Sequence, residues 1–128
     1  MTCLAWSPDG KLLAGGSQYE DLILWDGATG RLVRRPSSPP SSLSCLDFSP
    51  DGRVLVAGSS GRDLKAWEAS TGKTLWQDRE GHTSHLDLAF LPDGKAFVTL
   101  ESDGRARFRE AATGKSRCEF GDEKERIA

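Results

Sequence analysis

The sequence predicts an all-β chain made of three four-stranded antiparallel sheets, one after another. Three observations carry this reading. The chain of 128 residues matches itself at one dominant offset, 42 residues. Within each period, short apolar runs are bounded by clusters of Gly, Pro, Ser and Asp, the pattern of strands and turns. No window keeps the apolar period of about 3.6 residues that marks a helix.

The repeat is carried by several independent features. Ser7-Pro8-Asp9-Gly10 returns as Ser49-Pro50-Asp51-Gly52 and again as Leu91-Pro92-Asp93-Gly94. Ala28-Thr29-Gly30 returns as Ser70-Thr71-Gly72 and Ala112-Thr113-Gly114. Leu4 returns as Leu46 and Leu88, Trp6 as Phe48 and Phe90, and Trp25 as Trp67. A fixed period of roughly 40–45 residues is that of a four-stranded propeller blade. The expected fold is therefore a partial β-propeller, three four-stranded antiparallel blades in an open arc. The blades span 1–42, 43–84 and 85–126, and 127–128 open a further first strand.

In the first blade the strands are expected near residues 1–6, 11–16, 21–26 and 31–34. Ser7-Pro8-Asp9-Gly10 ends the first. Ser at the first position, Pro with its preset φ at the second and Gly at the fourth fit a type I turn. Gly10, Gly52 and Gly94 then take positive φ and close a hairpin. Gly30, Gly72 and Gly114 are expected to do the same between the third and fourth strands. Each is followed by Arg or Lys, suited to a solvated outer strand. In the second blade, Leu43–Phe48 and Arg53–Gly58 read as the first two strands. Arg34 to Ser42, rich in Pro and Ser, is expected to be an extended loop with polyproline II character around Pro39. Gly121 to Arg126 reads as a mixed-charge loop.

Composition supports a core and narrows the function. Hydrophobic residues make up 37%, with 14 Gly besides, close to the globular norm. The formal charge of −2 builds no large basic field, so nucleic acid is not an expected partner. No apolar run approaches the length that spans a bilayer, so no membrane partner is expected. The opening residues lack the basic start and apolar run of a secretion signal. Cys3, Cys45 and Cys118 are odd in number and widely spaced. They read as reduced, mostly buried thiols in a cytoplasmic protein rather than as a disulfide framework. A secreted protein with free thiols is the alternative.

The three Pro-Asp-Gly turns, Leu22-Ile23-Leu24-Trp25-Asp26, Leu64-Lys65-Ala66-Trp67-Glu68 and Gly81-His82 together resemble the WD40-repeat family over essentially the whole chain. The resemblance implies a hydrogen-bonded tetrad in each blade: a His before the first strand, Ser or Thr in the second, Asp in the next turn, Trp in the third. By position, the third repeat supplies His82, Thr99 and Asp103 as structural residues, while Arg109 stands where Trp25 and Trp67 stand in the others. The first two repeats place Tyr19 and Gly61 at the Asp position and Gly15 and Ala57 at the Ser/Thr position. The tetrad is therefore incomplete in every blade.

A closed propeller holds about four to eight blades. Three leave a broad sheet face open at each end, each hiding on the order of 500 Å² of apolar surface, or about 10 kcal/mol, once covered. The covering is expected to come from missing blades of a longer propeller or from a second copy of the chain, two copies making a six-bladed ring.

His82 is expected to bond Thr99 or Asp103, and His85 to lie at the rim of the central channel. Arg105, Arg107 and Arg109 alternate along one strand face. They read either as a degenerate, solvated blade or as a patch for an anion or acidic partner. No phosphate-binding loop, nucleophile elbow or metal-ligand spacing occurs, so no cofactor, metal site or catalytic residue is expected.

The expected function is a non-catalytic scaffold for other proteins, since loops on a rigid frame are where recognition usually sits. Tyr19, Arg35, Arg62, Asp78, Arg79 and Glu101 are the candidate partner-binding residues, Tyr and Arg being favoured interface anchors. That these loops share one face is implied by the resemblance. The alternatives are a propeller enzyme or small-ligand binder using the central channel, with Thr2, Ser44, His85 and Asp87 as its polar groups, and a regulatory segment of a multidomain protein.

Overall fold

The computed structural model describes residues 2–17, 22–36, 43–60, 63–79 and 84–120. Twelve strands follow one another: β1 (Thr2–Trp6), β2 (Leu12–Ser17), β3 (Leu22–Asp26), β4 (Leu32–Arg34), β5 (Leu43–Phe48), β6 (Val54–Ser59), β7 (Leu64–Glu68), β8 (Thr74–Asp78), β9 (His85–Phe90), β10 (Ala96–Glu101), β11 (Ala106–Glu110) and β12 (Ser116–Phe120). They pair in chain order as three antiparallel sheets, β1-β2-β3-β4, β5-β6-β7-β8 and β9-β10-β11-β12. No helix occurs among the described residues. The first strands stand side by side, β1 against β5 and β5 against β9. The arc is open, as expected.

The turns form as their residues dictate. In the first, Gly10 N–H donates to Ser7 O at 2.9 Å, and Gly10 has φ 73°. Asp9 Oδ1 accepts from Ser7 Oγ at 2.7 Å and from Lys11 N–H at 2.9 Å, so a short polar side chain completes what the backbone cannot. The copy at Ser49 to Arg53 repeats these bonds. The turn glycines after each third strand also have positive φ, between 74° and 77°.

The sheets dock by one rule: an aromatic-bearing face of the later sheet covers a small-residue face of the earlier one. Phe48, Leu55 and Trp67 share a face of the second sheet, since Phe48 pairs with Leu55 and Leu55 with Trp67. That face packs on Ala5, Ala14 and Leu24 of the first sheet. Leu88, Phe90 and Phe97 of the third sheet pack on Cys45, Val54, Val56 and Ala66. Trp76 stacks on Phe97 at 5.9 Å between centroids, and Phe90 meets Phe97 at 5.4 Å.

Two further devices hold neighbours together. Gly16 and Gly58, one period apart, leave room for the next blade: a Cβ on Gly16 would lie 2.5 Å from Leu43, and one on Gly58 2.7 Å from His85. Arg34 and Trp76, also one period apart, reach from an outer strand to the next blade's last turn. Arg34 Nη1 donates to Ser70 O, and Trp76 Nε1 to Ala111 O at 2.8 Å.

Candidate functional site

β10 and β11 pair so that Thr99 lies opposite Arg107 and Phe97 opposite Arg109. Period 2 along β11 puts both arginines on the face that docks against the second sheet. There they meet Glu101, and an ion cluster fills the space that Trp67 fills in the preceding blade. Arg109 Nη2 donates to Glu101 Oε2 at 3.2 Å, and Arg107 Nη1 lies 2.9 Å from Glu101 Oε1. Thr99 Oγ1 accepts from Arg109 Nε at 3.2 Å and donates to Glu101 Oε2 at 2.8 Å. Arg109 Nη1 also donates to Gly114 O at 2.9 Å and to Asp78 Oδ2 at 3.1 Å. The last bond crosses from the third blade to the second.

Two expectations are corrected here. Glu101, expected on the exposed partner-binding face, is 2% exposed and is the buried anion of this cluster. The arginine strand is neither a solvated face nor a patch for an outside anion. Arg109 is 4% exposed, and the acid that Arg107 and Arg109 bind is internal. Desolvating a carboxylate is costly unless its lone pairs are filled, and two guanidinium groups and a hydroxyl fill them. A sequence signal was present. Glu101 is one period from Ser59, and Arg109 one period from Trp67, so two opposite charges replace neutral residues on the same blade.

The remaining expected residues are placed as follows. Asp103 accepts from Arg107 Nη2 at 2.9 Å and from Arg105 N–H at 3.0 Å. Against the upward push of partial burial, these bonds hold its carboxyl below the usual range. Trp67 is wholly buried, whereas Trp25, its counterpart in the first blade, is only half-buried. His85, expected at the channel rim, is instead buried between blades, with Nδ1 3.9 Å from Glu101 Oε2. Tyr19, Arg62 and His82 lie outside the described residues, so nothing places His82 beside Thr99 or Asp103.

Asp78 and Arg79 fall in one groove of about 410 Å³ between the second and third blades, lined also by Gln77, Thr113 and Lys115. Asp78 is half-buried and held by Arg109, while Arg79 is largely exposed, with Nε 3.7 Å from Asp63. Arg35 is exposed. Of the cysteines, Cys45 is buried, Cys3 half-buried and Cys118 exposed, and all three are free. The expectation of mostly buried thiols therefore fails for Cys118, which lies on an outer strand. Among the described residues no group of three or more His, Cys, Asp or Glu side chains is arranged to hold a metal.

The first blade's free face is apolar. Leu4 pairs with Gly15, and Trp6, Leu13, Trp25 and Leu32 form a cross-strand row. Leu4 is 69% exposed and Trp6 55%. Leu4, Trp6, Leu13 and Trp25 line a groove of about 360 Å³ that ends at Gly27 and Gly30. This is the same face that the second and third sheets bury.

The profile of the family described as "WD domain, G-beta repeat" matches residues 1–26 and 30–68, about half of the chain. No curated protein matches the sequence.

Proposed function

The chain belongs to the WD40-repeat family, whose repeats commonly mediate protein–protein interaction, and on that premise we propose that it is a non-catalytic, protein-binding scaffold, a module of a larger propeller. One observation carries the reading: three sheets locked face to face, with apolar Leu4 and Trp6 left uncovered at one end. An apolar patch of several hundred Å² marks an interface or missing protein.

The partner-binding residues are Tyr19, Arg35, Arg62 and Arg79. Arg79 and Arg35 are exposed, and Arg residues carry a large share of binding energy at protein interfaces. Asp78 and Glu101 leave this set, because both are spent on Arg109. The net charge of −2 favours protein over nucleic acid as the partner. Three free thiols fit a reducing, cytoplasmic setting.

The test is affinity capture with the chain as bait, quantified by mass spectrometry. Replacing Tyr19, Arg62 and Arg79 together by alanine should lose the enriched proteins while leaving the circular dichroism spectrum unchanged. Full retention of every captured protein would discard this face.

A further inference from the structure

The second and third blades leave two grooves between them that share their walls. In both, β8 supplies one wall and the turn from β11 to β12 the other. The first, of about 410 Å³, is polar, with Gln77, Arg79, Thr113 and Lys115 beside Asp78. The second, of about 570 Å³, is mainly apolar, with Val54, Leu75, Ala111 and Ala112 and one ammonium, Lys95. We propose that the two grooves together dock an extended segment of a partner protein, in which an apolar side chain is flanked by Asp or Glu.

This names the chemistry of the partner in the scaffold reading and rests on that reading. The charge of the lining selects an acid. Its cations are Arg79, Lys95 and Lys115, and its acid, Asp78, is already held by Arg109 at 3.1 Å. Asp63 lies 3.7 Å from Arg79 Nε, longer than a close charge-assisted bond. Lys95 and Lys115 are exposed, and among the described residues neither forms an ion pair. The chain as a whole carries −2, so a cationic lining runs against its overall charge and favours an acidic segment here.

The shape of the walls selects an extended segment. β8 is the outer strand of its sheet, paired with β7 on one edge and with no strand on the other among the described residues. An edge strand suits an extended neighbour, whose alternate side chains enter the pockets beside it. The walls are also tied to each other. Trp76 clasps them, its Nε1 donating to Ala111 O at 2.8 Å while its ring stacks on Phe97. Arg109 Nη1 spans them a second time, from Asp78 Oδ2 at 3.1 Å to Gly114 O at 2.9 Å. A groove fixed in this way loses little freedom when a segment docks. Leu75, 48% exposed, is the apolar anchor point within it.

Selection from a displayed library of random peptides tests this, with the full chain as bait. The expected consensus is an apolar residue with Asp or Glu on both sides. Fluorescence anisotropy of the most enriched peptide then reads the variants. Lys95→Glu combined with Lys115→Glu should weaken its binding by about tenfold or more. Lys95→Gln combined with Lys115→Gln, which removes the charges without reversing them, should weaken it less. A selection repeated on Leu75→Ser should lose the apolar preference and keep the acidic one. All three positions are exposed, so the circular dichroism spectrum should stay that of the parent in every variant. No enriched consensus, a basic one, or binding that the lysine reversals leave unchanged overturns the acidic segment. Those outcomes leave the scaffold reading standing, because that reading is decided by capture of whole proteins.

Discussion

Arg109 and Glu101 form a buried ion pair, Nη2 to Oε2 at 3.2 Å, at the two positions where the preceding blade carries Trp67 and Ser59. Both side chains are almost wholly buried. Breaking a buried pair leaves an uncompensated charge, whereas replacing the whole pair by well-packed residues is often neutral. Glu101→Gln should therefore lower the unfolding free energy by about 3–5 kcal/mol. Glu101→Ser combined with Arg109→Trp, the pattern of the second blade, should recover most of the loss. Urea titrations of the two variants measure both; a loss below about 0.5 kcal/mol for the single change, the size of an ordinary surface substitution, would contradict the buried cluster.

Gly30 and Gly114 separate backbone from packing. Their φ values are 74° and 76°, so the left-handed cost of a side chain is the same at each. At Gly30 an added Cβ meets nothing within 4 Å, while at Gly114 it would lie 2.3 Å from the Trp76 ring. Gly30→Ala should cost about 1–2 kcal/mol, the left-handed penalty alone. Gly114→Ala should cost clearly more, because Trp76 must leave its hydrogen bond to Ala111 O and its stack on Phe97. Equal losses in thermal unfolding would deny that clasp.

Asp47 and the turn aspartates pull stability in opposite directions with pH. Burial pushes the Asp47 carboxyl up, although Oδ2 accepts from Phe90 N–H at 3.0 Å across the blade contact. A raised folded value means that its contribution is present below the unfolded value and is lost as pH rises through the folded one. Hydrogen bonds hold Asp9, Asp26 and Asp51 low, from Lys11 N–H first at Asp9, Ala28 N–H first at Asp26 and Ser49 first at Asp51. Their contribution is present above about pH 4 and is lost as pH falls below it. The turns should thus weaken below about pH 4, while Asp47 pulls the other way. Asp47→Asn, which keeps the acceptor without the charge, should be at least as stable as the parent at pH 7, with its advantage shrinking toward pH 3. Unfolding curves between those values decide it; an advantage that grows on acidification would reverse the assignment.

The thiols should react in the order of their surroundings. Burial pushes the Cys45 thiol up to about 12, so it carries almost no thiolate at neutral pH. Its Sγ also lies 3.9 Å from His85 O inside the second blade contact. Cys3 is half-buried and raised for the same reason. With N-ethylmaleimide at pH 8, Cys118 should be modified first, Cys3 later and Cys45 only on unfolding. Peptide mapping over time reads this, and early modification of Cys45 would show that the second and third blades do not pack as described.

The strands and turns were legible because their causes are local. Pro8, Asp9 and Gly10 specify a turn wherever they occur, and the period of 42 repeats it in phase. Strand bounds shift by a residue or so, as at β2, which starts at Leu12. The ion cluster was not legible in the same way. Alternation along β11 puts Arg107 and Arg109 on one face, but nothing within that strand says whether the face meets water or another sheet. Glu101 was misplaced for the same reason. Its partners are Thr99 within its own strand, Arg107 and Arg109 on the neighbouring strand, and through Arg109 the Asp78 of another blade. Only comparison of positions across repeats carries that information.

The docking rule itself is tested most directly at Trp67. Trp67 is wholly buried where the second sheet meets the first. The difference between parent and Trp67→Phe emission isolates its fluorescence, and acrylamide titration of that difference reads its access to solvent. A blue-shifted component that resists quenching in the native chain and becomes quenchable in urea is the predicted result. A red-shifted component quenched in native buffer as readily as a free indole would mean that the sheets do not cover one another, and the stacked-blade arrangement would fall.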